Sequence, residues 1–301
     1  MANYERVISN IRETLSDYIK ENKLGALVIG VSGGFDSTAC CALAKPVCRH
    51  FNIPLVGRSL IIESNKSDEI ERARMVGDIF CTDFIEVGLT PAYEVLKNAI
   101  EAEEKIDEDN SDYLIMRNKI RRGNIKARVR MIYLYNLAQL KSGMVLSTDN
   151  FTELMLGFWT LHGDIGDFGM IQNLKKTEAY NMIEYMISTI GKGISLMRTV
   201  LQDSIDCIPT DGLGITNSDL DQILPGWEKL FRTSRQGYAE VDRIFGDYFE
   251  KAATFKTWGN DTKENERILA EMETHPVIQR YKRTHFKREN PINISREILF
   301  K

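Results

Sequence analysis

The 301-residue chain has no long hydrophobic run. Its longest apolar stretches, such as residues 26–31, are strand-sized and far short of the roughly 20 residues that cross a bilayer, so no membrane span is expected. It has no Cys-x-x-Cys pair either. Cys40, Cys41, Cys48, Cys81 and Cys207 are odd in number and match neither a zinc ribbon nor a disulfide scaffold, so they read as reduced core residues. A basic surplus is also missing: Lys+Arg 39 against Asp+Glu 43 leaves a net charge of −4, which disfavours a general nucleic-acid-binding surface. The first 15 residues lack a signal-peptide pattern. Glu5, Arg6, Arg12 and Glu13 alternate there with apolar residues as in an amphipathic helix, and a cytoplasmic location is the expectation. No repeat of fixed period occurs. Hydrophobic residues at 43% and charged residues at 27% are near the globular average, which excludes a disordered or collagen-like chain.

The first half alternates strand-like and helix-like segments, the pattern of an α/β domain with a parallel sheet. Strands are expected at residues 24–31, 54–62, 82–87 and 144–147, with helices starting at 37–49, at 67–80 and at 122–140. Pro46 should end or kink the first of these helices, and Gly143 should stop the last. Residues 101–112 hold seven acidic residues and one Lys, the composition of a solvated helix end or mobile loop. From about residue 218 the pattern is helical and strongly charged. One domain is expected, with an α/β nucleotide-binding core over 1–225 and a mainly helical region over 226–301.

Between the first strand and its helix lies Gly30, Val31, Ser32, Gly33, Gly34, Phe35, Asp36, Ser37 and Thr38. The glycines permit positive φ and close backbone approach, while Ser32, Ser37 and the helix N-terminal amides can all donate to one polyanion. Such a loop cradles phosphate. It is neither a Walker A loop, because no Gly-Lys-Ser/Thr follows, nor the dinucleotide Gly-x-Gly-x-x-Gly turn.

Ser-Gly-Gly-x-Asp-Ser on a strand-to-helix turn resembles the loop of the ATP pyrophosphatases, which cleave ATP to AMP and pyrophosphate while activating an oxygen as an adenylate. Further motifs choose within that group. Arg122-Gly123-Asn124-Ile125-Lys126-Ala127-Arg128 resembles the Arg-Gly-Asn-x-Lys-Ala-Arg helix start of NAD synthetases. Ser147-Thr148-Asp149-Asn150-Phe151-Thr152-Glu153, the stretch from Gly157 to Asp164, Lys175-Lys176 and Pro209-Thr210-Asp211-Gly212-Leu213 follow in that family's order and spacing. The resemblance covers roughly residues 25–225, with a weaker match near the C-terminus. It departs at Asn150-Phe151-Thr152, at Ile165, at Thr177-Glu178 and at Leu161, where most members have a Lys.

The resemblance implies a Rossmann-like parallel sheet flanked by helices, as in the adenine nucleotide alpha hydrolases, and a set of roles. Asp36 and Glu153 would hold Mg²⁺, for which their hard carboxylate oxygens suit, one or two carboxylates being the usual protein share beside nucleotide phosphates. Gly30 to Ser37, Arg58, Thr148, Lys176 and Thr210 would contact ATP, with Lys176 neutralising charge at the α-phosphate. Arg128, Asp167, His285 and Lys287 would bind nicotinic acid adenine dinucleotide, and Asp164 would sit near the ammonia. The expected activity is ammonia-dependent NAD synthesis by a homodimer. Two alternatives stand beside it: another ATP pyrophosphatase acting on a different nucleotide, and a non-catalytic nucleotide-binding paralogue.

Overall fold

The computed structural model describes residues 2–63, 65–104, 111–191, 194–210, 212–257, 262–289 and 294–299. Short aliphatic segments form strands β1 (Ala26–Gly30), β2 (Leu55–Ile61), β3 (Asp83–Gly88), β4 (Gly143–Ser147) and β5 (Phe168–Gly169). All pairings are parallel, in the order β3-β2-β1-β4-β5. The helices of this part are α1 (Tyr4–Asn22), α2 (Phe35–Phe51), α3 (Ser67–Phe80), α4 (Thr90–Glu103), α5 (Asp112–Leu140), α6 (Phe151–Leu156), α7 (Lys176–Thr189) and α8 (Ser195–Asp206).

Alternation along β1 divides the core in two. Leu27 and Ile29 pack with residues of α1, α2, α3, α7 and α8, whereas Ala26 and Val28 pack with Leu137 and Ala138 of α5. Both faces of the central strand are therefore covered, which is why ALVI reads as a continuous apolar run. A second apolar cluster joins Leu156 to Leu220, Trp227, Tyr238, Phe245 and Val277, beneath the later helices. Those helices are α9 (Trp227–Leu230), α10 (Ser234–Thr257), α11 (Thr262–Met272), α12 (Pro276–Arg283), α13 (His285–Arg288) and α14 (Arg296–Leu299).

Three local expectations change. Pro46 does not end α2, which continues to Phe51. A proline lacks the N–H that would serve the Ala42 carbonyl, and the Arg12 guanidinium of α1 supplies the donor instead, with Nη2 3.4 Å from Ala42 O and Nε 3.4 Å from Leu43 O. Gly143 does not stop α5. The positive φ falls on Ser142, and Gly143 already belongs to β4, pressed so close to Ala26 that a Cβ would lie 2.4 Å from its carbonyl oxygen. α5 also starts earlier than residue 122, because Ser111 caps it by accepting from the Leu114 amide. Of the acidic stretch 101–112, residues 105–110 lie outside the described residues, and Glu101 pairs with Arg121 and Arg122.

Strand order reverses between β1 and β4. In open α/β sheets the crevice beyond the carboxyl ends at such a reversal is where ligands bind. Here it is bordered by the loop after β1 and by the turn after β4.

Candidate active site

The loop after β1 is held from both sides. Ser32 and Ser37 hydroxyls lie 3.0 Å apart, the Gly34 amide donates to Ser32 Oγ at 3.2 Å, and Arg72 Nε donates to Gly33 O at 3.2 Å. Gly33 has φ +76°, and a Cβ on it would fall 2.4 Å from Glu69 O and 2.7 Å from Ala73 N of α3. Only glycine fits there. α2 starts at Phe35, so its free amides and positive dipole end face the crevice.

Asp36 in the first turn of α2 meets two residues from distant segments. Asn150 Nδ2 donates to Asp36 Oδ1 at 2.9 Å, and the Lys176 ammonium donates to Asp36 Oδ2 and, at 2.7 Å, to Glu153 Oε1. Glu153 is placed by a capping box, its amide donating to Asn150 Oδ1 at 3.1 Å. Lys176 is fully buried at the start of α7, within 6.0 Å of the ring centres of Phe35, Tyr180 and Tyr238. Burial alone would lower its ammonium, but Asp36 and Glu153 outweigh that and hold it well above the ordinary lysine range. Burial pushes Glu153 up to about 7, with the Asp36 charge adding and Lys176 opposing.

The loop, Asp36 and Glu153 open onto one cavity of about 570 Å³. The turn after β4 adds Asp149, almost fully buried and accepting from Ser147 Oγ at 2.9 Å; burial, then the charges of Asp164 and Glu153, raise it well above the carboxylate range. Asp164 accepts from the Thr160 amide. Its carboxyl is reached by solvent through the cavity, yet the surrounding protein displaces enough water to push it up to about 6. The cavity thus joins an anion-binding loop, a pair of carboxylates bridged by an ammonium, and two further carboxyls that gain protons readily.

A model of the NAD synthase family matches residues 7–291. The chain belongs to that family. Among relatives, it is 29% identical over 257 residues to the NH(3)-dependent NAD(+) synthetase of Limosilactobacillus fermentum, covering 82% of this chain and 89% of the relative. To the enzyme of the same description from Thermoplasma acidophilum it is 28% identical over 271 residues, 89% of this chain and 92% of the other. In fold it is similar to the NMN synthetase of Francisella tularensis, with TM-score 0.69, 21% identity and coverage of 98% and 100%. The NH3-dependent NAD synthetase of Campylobacter jejuni gives TM-score 0.62 at 18% identity, with the same coverage.

In this NAD synthase the cavity wall includes the loop from Gly30 to Ser37 except Gly33, together with Arg58, Thr148, Glu153, Asp164, Thr210 and Lys287. Arg58 is nevertheless paired with Asp83 at 3.0 Å, and Thr210 donates to Glu69 Oε1 at 2.6 Å. Four further expected residues are not on the wall. Lys176 sits behind Asp36 and Glu153, with its ammonium on those carboxylates. Arg128 donates through Nε and Nη2 to Leu161 O at 3.2 and 3.1 Å. Asp167 accepts from the Val145 amide at 2.9 Å and from the Tyr135 hydroxyl at 3.0 Å. His285 is exposed on α13, 3.1 Å from Glu289. Sequence reasoning gave no role to Asp149 and Asn150, although both stand in the Ser-Thr-Asp-Asn stretch it singled out. Arg283 stood in the sequence only as a member of the basic run 281–288, and Arg280, just before that run, carried no signal.

Proposed function

We propose that this NAD synthase amidates the nicotinate carboxylate of nicotinic acid adenine dinucleotide with ammonia, converting ATP to AMP and pyrophosphate. The observation that carries the reading is the shared cavity: a phosphate-cradling loop at the sheet's switch point opens into the same space as Asp36, Glu153, Asp149 and Asp164. Membership of the family supports it.

The carboxylate oxygen attacks the ATP α-phosphorus, a bond to the bridging oxygen of pyrophosphate breaks, and an acyl adenylate forms. Ammonia then attacks the acyl carbon, AMP leaves with the electron pair, and one proton is lost from nitrogen. Gly30 to Ser37 and the α2 N-terminus receive the phosphates, and Arg58, Thr148 and Thr210 border the nucleotide. Asp36 and Glu153 suit a divalent cation, since both carboxylates line the cavity that the phosphate loop opens onto. Mg²⁺ held there would neutralise phosphate charge. Lys176 fixes the two carboxylates from behind and limits their net charge. Asp164, poised near neutrality, orients ammonia and accepts its proton, the role for which a carboxyl close to the working pH is suited. Arg128, Asp167, His285 and Lys287 belong to the dinucleotide side of the reading, Arg128 and Asp167 by shaping the loop and strand beside the cavity.

A homodimer and a cytoplasmic location complete the proposal. Exposed apolar side chains on α4 and α5, among them Val95, Tyr113 and Ile132, support a covered face. No described helix is long and apolar enough to cross a membrane. The test is direct: supply Mg-ATP and ammonium with each candidate acceptor nucleotide and measure AMP, pyrophosphate and amidated product. Stoichiometric NAD, AMP and pyrophosphate are expected with the dinucleotide, and their absence sinks the reading.

A further inference from the structure

The segment from α12 to α13 lies against the turn that follows α6. The last carbonyls of a helix have no intrahelical donor, and here two cations serve them while a third serves the turn just beyond. Arg288 Nη1 donates to Met155 O at 2.6 Å, Arg280 Nε to Leu156 O at 2.8 Å, and Lys287 Nζ to Gly157 O at 2.7 Å and also to Trp159 O. Arg280 further donates to Gln222 Oε1 at 2.9 Å and stacks 3.9 Å from the Phe158 ring centre. Gly157 has φ +65°, and a Cβ there would run into Thr284, so the two segments touch backbone to side chain. These contacts shape the 157–164 loop that carries Asp164.

Arg283 differs from its neighbours. It is exposed, it lines the cavity beside Thr284 and Lys287, and among the described residues it has neither a hydrogen-bond nor an ion-pair partner. No described carboxylate forms an ion pair with Arg280, Lys287 or Arg288 either. The cluster therefore repels itself: burial, then the Arg283 charge, push Arg280 down to about 10, and burial, then Arg280, push Lys287 down to about 8. An anion entering the cavity relieves that repulsion, and Arg283 is the member with free donors.

We infer that Arg283 is the specificity-determining cation of the acceptor subsite and binds a phosphate group of the nucleotide whose carboxylate is amidated. Arg280, Lys287 and Arg288 are positioning residues that act through the 155–159 backbone. The inference rests on the amidation reading above.

The test compares wild type, Arg283→Gln and Arg283→Lys at saturating Mg-ATP and ammonium. The probes are nicotinic acid adenine dinucleotide and nicotinic acid riboside, which has the same carboxylate and no phosphate. Loss of one charge-assisted hydrogen bond raises the dinucleotide KM of Arg283→Gln about tenfold to hundredfold. Its kcat and its KM for ATP stay within about twofold, because the contact is equal in ground and transition states. Arg283→Lys recovers part of the loss, and the riboside binds wild type and variant alike. A dinucleotide KM within about twofold of wild type, or an equal rise for the riboside, overturns the inference. If wild type makes no NAD, the amidation reading fails instead, and calorimetric binding of the dinucleotide to wild type and Arg283→Gln then decides the inference alone: equal affinities overturn it.

Discussion

Replacing Lys176 by Met tests the charge arrangement at the heart of the site. The ammonium is fully buried and donates to two carboxylates whose side chains are 18% and 12% exposed, so its removal leaves both without their cation. Breaking a buried pair by deleting one partner costs about 3–5 kcal/mol. Protonation of Glu153 limits that figure, and this sets the pH dependence. Glu153 is already at about 7, above its ordinary 4.5, because of burial first and Asp36 second. In wild type the native state therefore holds this proton more tightly than the unfolded chain, and its ionisation removes stability as pH rises from 4.5 through about 7. Without the ammonium its pKa rises further, and each additional unit is worth about 1.4 kcal/mol above pH 7. Below pH 6 Glu153 is protonated in both proteins and that part of the loss vanishes. Lys176 itself, held above 10.5, keeps its proton throughout. Urea unfolding followed by circular dichroism at pH 6 and pH 8.5 should thus show the larger destabilisation at pH 8.5, with Glu153→Gln in the same chain recovering part of it. Equal losses at the two pH values, or losses under about 1 kcal/mol at both, would refute the buried-bridge reasoning.

Asp36→Asn and Glu153→Gln should each lower NAD formation by orders of magnitude at saturating Mg²⁺ while retaining the far-ultraviolet spectrum; near-normal turnover would remove that residue from the metal site. The 301-residue chain should use ammonium and not glutamine, since its five cysteines are buried or half-buried and stand in no nucleophile motif; NAD formation from glutamine with ammonium removed enzymatically would contradict this. Arg12→Met should destabilise by about 1–3 kcal/mol, because the Ala42 carbonyl beside Pro46 loses its donor; an unchanged urea midpoint would show that another donor serves it. Gly33→Ala should cost more than Gly34→Ala and weaken ATP binding, since its Cβ meets α3 backbone atoms at 2.4 and 2.7 Å whereas that of Gly34 meets only Ser32 Oγ at 3.3 Å; equal effects on ATP affinity in calorimetry would count against the loop geometry.

Local features were legible in the chain itself. Each strand and helix expected in the α/β alternation, such as the helix at 67–80, and the glycine-rich turn are written in fewer than twenty consecutive residues, because hydrophobic period, capping and glycine torsions act over that range. The ordered motifs likewise mark the NAD synthase family. Interactions between distant segments were not legible. Pro46 continues a helix because Arg12, 30 residues from Ala42, reaches across from α1. Lys176 faces carboxylates, not the open cavity, because α7 packs its first turn beneath residues 140 and 23 positions away. Arg128 and Asp167 have backbone partners 33 and 22 residues off, and Lys287, beside Arg283 on the cavity wall, serves a turn 130 residues earlier. A motif carries the type of a side chain and its local backbone. Which charge it meets depends on how helices pack around the sheet, and that packing fixed which cations bind backbone and which bind carboxylate.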